Sequence, residues 1–332
     1  MAINIARRKF IAALGGIAFA WPLAARAQQL AGRTARIGFV GTSLDNPVVS
    51  LGYPAFLDEL KKFGFSEGQN LAIENVWTDH TQRLFAETAD LVRSNVELLV
   101  AAGDETALQA ALAASRTIPI VMWAVNFDPI ARGYVKNLAH PGGNITGVVS
   151  LQTELAAKQV ELLTQAFPER TRLAVLWDAG SADQFAAAER QARSLRLDVR
   201  SLKLENPPYD FDAAFRSLAG GYPQMLLVLS SQFFTLSRSH IAELAIRQRL
   251  PTMFIFKTYV EAGGLISYGV DPAAIYRPLG FYVAKILNGA KPADLPIQQA
   301  VKFELVINLK TAKALGVELS TAIQLRADEV IE

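Results

Sequence analysis

One pattern limits what this chain of 332 residues can fold into: short apolar runs alternate with amphipathic stretches, and the whole alternation occurs twice. In the first pass the strand-like runs are "RIGFVG" (36–41), "NLAIENVW" (70–77), "VELLVAAG" (96–103) and "IPIVMWA" (118–124). Helical stretches separate them at 53–65, 82–95 and 106–115, and in the first of these Phe56, Leu57, Leu60 and Phe63 share one stripe. In the second pass the runs are "RLAVLWD" (172–178), "DVRSLKL" (198–204), "QMLLVLSS" (224–231) and "PTMFIF" (251–256), with helices at 183–197, 210–220 and 238–250. Arg36 and Arg172 open equivalent first strands 136 residues apart, and Pro119 and Pro251 open equivalent fourth strands 132 apart. The repeat lies in the order and spacing of elements, not in residue identity. Such alternation produces parallel sheets covered by helices. The expected fold is therefore α/β, with two similar doubly wound, Rossmann-like lobes.

The chain crosses between the lobes more than once. "HPGGNITGV" (140–148) reads as a first crossing with a tight turn at Gly142-Gly143, and "EAGGLISYGVD" (261–271) as a second. A helix (271–290), a strand (302–309) and a helix closed by Gly316 follow. The expected division is 34–147 with about 272–300 for one lobe, and 148–271 with about 301–332 for the other. Several connections make a hinge rather than a tether, which suits closure around a guest.

The first 27 residues stand apart. Arg7, Arg8 and Lys9 precede an apolar run from Ile11 to Ala25, and Ala25-Arg26-Ala27 is a small-x-small cleavage pattern. The run is too short to span a bilayer as a helix, which takes about 20 residues. Residues 1–27 read as an export signal cleaved near Ala27, and the paired arginines resemble a twin-arginine signal. The expected location is the periplasm. Those residues hold four bases and no acid, leaving 29 bases and 31 acids in the rest, so the +2 of the whole chain becomes about −2. Nothing in that balance favours nucleic acid. With no cysteine, disulfides, thiolate metal sites, a cysteine nucleophile and a lipidated N-terminal cysteine are all excluded. No later run is long and apolar enough for a transmembrane helix, so the protein is not expected to be membrane-embedded.

Ligands of open parallel sheets bind beyond the carboxyl ends of the strands. Six strand-end loops are candidates: from the first lobe Thr42 with Ser43, Gly103 to Thr106, and Asn126 to Asp128; from the second Asp178 to Ser181, Ser230 to Phe233, and Lys257 to Tyr259. Each has a plainer alternative. Thr42 and Ser43 can simply cap a turn. Asp104 can be a helix N-cap; facing a ligand, Asp104 and Glu105 repel an anion and accept from an ammonium or hydroxyl, with Thr106 beside them. Asn126 both donates and accepts. Asp128, before Pro129, is either a helix-start turn or a counter-ion. Phe127, Phe233, Phe256 and Tyr259 are core residues or an aromatic sandwich. Ser230, Ser231 and Gln232 offer neutral polar groups, with Asp178 and Lys257 the charged ones. Tyr268 either senses closure or packs the hinge.

"EAGGLISYGVD…YRPLGFYVAKILNGAKPADLPIQQAVKFELVINLKTAKALG" and "TIPIVMWAVNFDPIARGYVKNLAHPGGNITG" resemble the ABC transporter substrate-binding protein family related to tryptophan- and tyrosine-binding lipoproteins, from about Arg36 to Glu332. That family carries small hydroxyl residues and a proline where Asp104 and Glu105 stand. The resemblance implies a type I periplasmic binding fold. It also implies a small organic ligand, such as an aromatic or branched amino acid or a related carboxylic acid, handed to an ABC permease and its ATPase. No cofactor and a monomeric state are expected. The alternative is an exported enzyme, an oxidoreductase or a glycosidase. Against it, "GTSLDNP" (41–47) is no glycine-rich dinucleotide loop, no Gly-x-Ser-x-Gly elbow occurs, and His80, His140 and His240 are scattered without metal-like spacing. Paired carboxylates, all that a glycosidase requires, are not excluded.

Overall fold

A strand covered on both faces reads as an unbroken apolar run, and β1 (Ala35–Gly41) is buried throughout except at Arg36. The computed structural model describes residues 33–332 apart from 42–45, 79, 219, 222 and 301. The proposed export signal, residues 1–27, lies outside the described residues, as do Thr42 and Ser43.

After β1 come α1 (Pro47–Lys62), β2 (Leu71–Trp77), α2 (Thr81–Arg93), β3 (Leu98–Gly103), α3 (Glu105–Ala114), β4 (Ile120–Ala124) and β5 (Ile145–Val149). The second cycle is α4 (Gln152–Ala166), β6 (Arg172–Asp178), α5 (Ala182–Ser194), β7 (Asp198–Leu204), α6 (Phe211–Ser217), β8 (Met225–Val228), α7 (Gln232–Leu236), α8 (Arg238–Arg247), β9 (Thr252–Phe254), α9 (Lys257–Glu261) and β10 (Ile266–Val270). The chain closes with α10 (Pro272–Leu287), β11 (Gln298–Gln299), β12 (Phe303–Asn308), α11 (Leu309–Leu315), α12 (Thr321–Arg326) and β13 (Glu329–Ile331).

Two sheets result, ordered β11-β5-β4-β3-β1-β2 and β13-β12-β10-β9-β8-β6-β7. The first is wholly parallel; in the second only β12 runs antiparallel to a neighbour, β10. The expected pair of doubly wound lobes is what forms. The equivalent cores β2-β1-β3-β4 and β7-β6-β8-β9 carry the same order, which is the duplicated plan seen in three dimensions. The chain passes between the sheets three times, after β5, after β10 and after β11.

Two crossing segments contain more regular structure than expected. Residues 145–149 form β5, an interior strand between β4 and β11, and residues 266–270 form β10, paired with β9 and β12. Gly142 does supply a turn conformation, with φ +78°.

α10 returns to the first sheet, packing along α1 and against β4 and β5. Asp271 caps its start by accepting from Ala273 N, with Pro272 at the first helical position. The two helices meet at glycines. A Cβ on Gly52 would lie 2.2 Å from the Tyr276 ring, and one on Gly280 would lie 2.6 Å from the Phe56 carbonyl oxygen. Tyr276 cannot retreat: it stacks on Phe39 at 6.3 Å and meets Trp123 edge-on at 5.6 Å. Gly52→Ala should therefore cost about 1–3 kcal/mol by overpacking, read as a lower midpoint in denaturant unfolding.

Candidate functional site

The carboxyl ends of both sheets open onto one cavity of about 350 Å³, within the roughly 300–1,000 Å³ usual for small-ligand sites. The first lobe lines it with the α1 cap Asn46, Thr81 at the start of α2, Gly103, Asp104 and Thr106 at the β3–α3 turn, and Trp123, Val125 and Asn126 at the end of β4. From the second come Asp178 to Gly180 after β6, Pro207 and Tyr209 after β7, Ser230 to Phe233 after β8, and Phe256 after β9. Asn126 Nδ2 donates to the Ser230 carbonyl at 3.2 Å, linking the lobes across the cavity. Outside it Arg132 lies 3.4 Å from Asp183, a second link between them.

Among the described residues, two carboxylates face this space and no lysine, arginine or histidine lines it. Asp178 is only 4% exposed. It accepts from Ser181 Oγ at 3.0 Å, from Tyr209 OH at 3.3 Å and from Ser231 Oγ. Burial, together with the charge of Asp178, pushes the Tyr209 phenol well above its ordinary range, so it remains a donor. Asp104 caps α3, its Oδ1 accepting from Thr106 N at 3.1 Å. Burial holds the Asp104 carboxyl above the usual carboxylate range; the Thr106 and Ala107 amides oppose that rise and the charge of Asp178 adds to it.

Asp104, Thr106, Asn126 and Asp178 thus meet Ser230, Ser231, Gln232, Phe233 and Phe256 around one hollow. The other expected residues lie elsewhere. Glu105 turns outward to accept from Tyr134 OH at 2.6 Å, with Arg132 3.4 Å away. Phe127 packs into the first lobe's core, edge-on to Tyr134 at 5.9 Å. Asp128 accepts from the Ile130 and Ala131 amides, making the turn rather than a counter-ion, and it and Phe127 border a separate hollow near the first crossing. Lys257 pairs with Glu329 at 2.7 Å. Tyr259 is buried beneath the site, stacked on Phe254 at 4.7 Å with its hydroxyl 3.1 Å from Thr235 Oγ1. Tyr268 packs on Phe303 beside the hinge, 5.8 Å between rings.

Missed from sequence were Asn46, Thr81, Trp123, Val125 and Tyr209. The loops after the second strand of each lobe, which carry Thr81 and Tyr209, obey the same strand-end rule as the six chosen and could have been included. Trp123 gives no such signal, because it reads as the interior of an apolar run.

Residues 40–331 match the family described as ABC transporter substrate binding protein. The chain belongs to that family. It is thus a type I periplasmic binding fold serving a transporter, and a binding protein rather than an enzyme. It is 24% identical over 282 residues to the tyrosine-binding protein of Clostridioides difficile, covering 84% of this chain and 80% of that one. A Vibrio cholerae conserved domain protein shares 26% identity with a TM-score of 0.82, over 90% of this chain and all of that one. The ABC domain from Streptococcus pneumoniae in complex with L-Trp shares 24% identity with a TM-score of 0.81, again over 90% and 100%. Among the described residues, no helix of this binding protein is long and apolar enough to cross a membrane, and no cluster of three or more acidic or histidine side chains could hold a metal.

The raised Asp104 carboxyl has a consequence for stability. A carboxyl whose pKa is higher folded than unfolded favours the fold only while protonated, and that benefit is lost as pH rises through the folded value. Asn caps a helix as well as Asp does. Asp104→Asn should therefore raise the melting temperature of the ligand-free protein at pH 7. The gain should fade on acidification and vanish below about pH 4, near the ordinary carboxylate pKa.

Proposed function

We propose that this protein captures a small organic ligand in the periplasm and presents it, by closure of its two lobes, to an ABC permease and its ATPase. Residues 1–27 would direct export and be removed, leaving a monomer divided as 34–147 with 272–300 and 148–271 with 301–332. The observation that carries the reading is a cavity lined by strand ends of both lobes and bridged by Asn126 and Ser230. Closure converts ligand contacts on each side into a conformational signal. Moving an open-to-closed ratio from 99:1 to 1:99 takes roughly 5.5 kcal/mol of differential binding. Hydrogen bonds worth about 0.5–1.5 kcal/mol each, with buried aromatic surface, are sufficient.

Trp123, Tyr209, Phe233 and Phe256 supply aromatic surface for a planar or branched body. The tyrosine and tryptophan carried by the relatives named above put aromatic amino acids first among candidates. Thermal-shift screening of the purified protein against amino acids and aromatic acids tests this. A stabilising ligand should be found, and Asn126→Ala should weaken it about tenfold by removing one hydrogen-bonding partner and the bridge between lobes. A screen without hits, alongside turnover in a hydrolase or dehydrogenase panel, would refute the reading.

A further inference from the structure

The place where an open parallel sheet ordinarily receives a ligand's negative group is already filled. At the end of β3 the first free amides of α3 face the cavity, the geometry that draws anions to helix N-termini. Here the Asp104 carboxylate occupies it, accepting from Thr106 N, and Asp104 itself faces the cavity. Across the cleft Asp178 presents a second carboxylate, and its charge reaches Asp104.

Several donors of the lining are committed inward. Trp123 Nε1 donates to Ser150 Oγ, Tyr209 OH and Ser231 Oγ donate to Asp178, Thr235 Oγ1 donates to the Ser231 carbonyl, and Asn126 Nδ2 donates to that of Ser230. This last bond fixes the amide's orientation and leaves Asn126 Oδ1 buried without a partner. Among the described residues the lining thus carries two carboxyl groups and no cationic side chain, and it is walled by aromatic rings.

We propose that this cleft recognises a protonated amine clamped between Asp104 of one lobe and Asp178 of the other, and that it does not require a carboxylate on the ligand. An ammonium has three donors and no acceptor, which suits a pair of carboxylates. Its charge also favours the aromatic walls through cation–π attraction. A ligand carboxylate meets no cationic side chain among the described lining residues and has the carboxylates of Asp104 and Asp178 to oppose it. Aromatic monoamines should thus bind at least as tightly as the amino acids that share their ring systems, and aromatic acids without an amine should not bind.

The inference rests on the small-ligand reading above, and one calorimetric comparison separates the two. The purified protein is titrated with tryptamine and tyramine, with L-tryptophan and L-tyrosine, and with indole-3-acetate. The expected result is a Kd for each amine equal to or below that of its amino acid, with no binding of the acid. Asp104→Asn, which keeps the cap, should weaken the amines by about 30-fold or more, the scale of losing one partner of a buried charge pair. Its melting curve shows that the variant is folded. Amino acids or the acid binding more than about tenfold tighter than the amines, or an amine affinity unchanged in Asp104→Asn, would overturn the charge assignment and leave the binding-protein reading intact. If none of the three series binds, the amine assignment falls, and the binding-protein reading is decided by the wider thermal-shift screen.

Discussion

Everything at the cleft follows from the directionality of parallel strands. In each sheet the strands of the repeated core point the same way, so every carboxyl end lies on one edge, and every following helix begins there with unpaired backbone amides. One such edge is a half-site. Two of them, brought face to face by three chain crossings, enclose a hollow whose lining comes from loops scattered between Asn46 and Phe256. The crossings hold the edges opposite one another while leaving room for rotation, since only a few residues join the sheets at each.

The electrostatics of the cleft follow from how its free amides and hydroxyls are used. Asp178 is satisfied by three hydroxyls from Ser181, Tyr209 and Ser231, which tie together the loops after β6, β7 and β8. Asp104 is satisfied by the start of its own helix. Hydrogen bonds make burial of these carboxylates tolerable, but none of them neutralises charge. The second lobe's polar wall is thus preorganised around a negative centre before any ligand arrives, and the first lobe adds another from the opposite side. Where a charge is held without a counter-ion, stability is given up locally in a form that a complementary guest can return.

Much of the architecture was legible because burial on both faces leaves a plain mark. β1, β6 and β7 begin within a residue of where the apolar runs begin, and the similar spacing of Arg36/Arg172 and Pro119/Pro251 reflects equivalent positions in the two sheets. Short elements were harder. β11 has only two residues, and β5 follows a Gly-Gly turn that looked like the start of a crossing. Such strands owe their existence to a neighbour's hydrogen-bond ladder, and their own composition carries little of that information.

The site divides in the same way. Strand-end position picked out Asp104, Asn126, Asp178 and Ser230 to Phe233, because the strand-end rule depends only on chain direction. It did not separate Phe256, which lines the cavity, from Phe127 and Tyr259, which fill the core. A one-residue change in where a strand stops reverses the face a side chain takes, and an aromatic residue suits either surface. Likewise Glu105 and Asp104 are adjacent acids in the sequence, yet one meets Tyr134 and Arg132 outside while the other enters the cleft. From the sequence alone came the duplicated α/β plan and the loops at which a ligand site must lie, since periodicity and chain direction are local properties. Which side chains actually converge there, and that those described bring two carboxyl groups and no cation, was decided by tertiary packing, because the Asn126–Ser230 contact and the shared cavity of Asp104 and Asp178 join residues that only the facing of two sheets brings together.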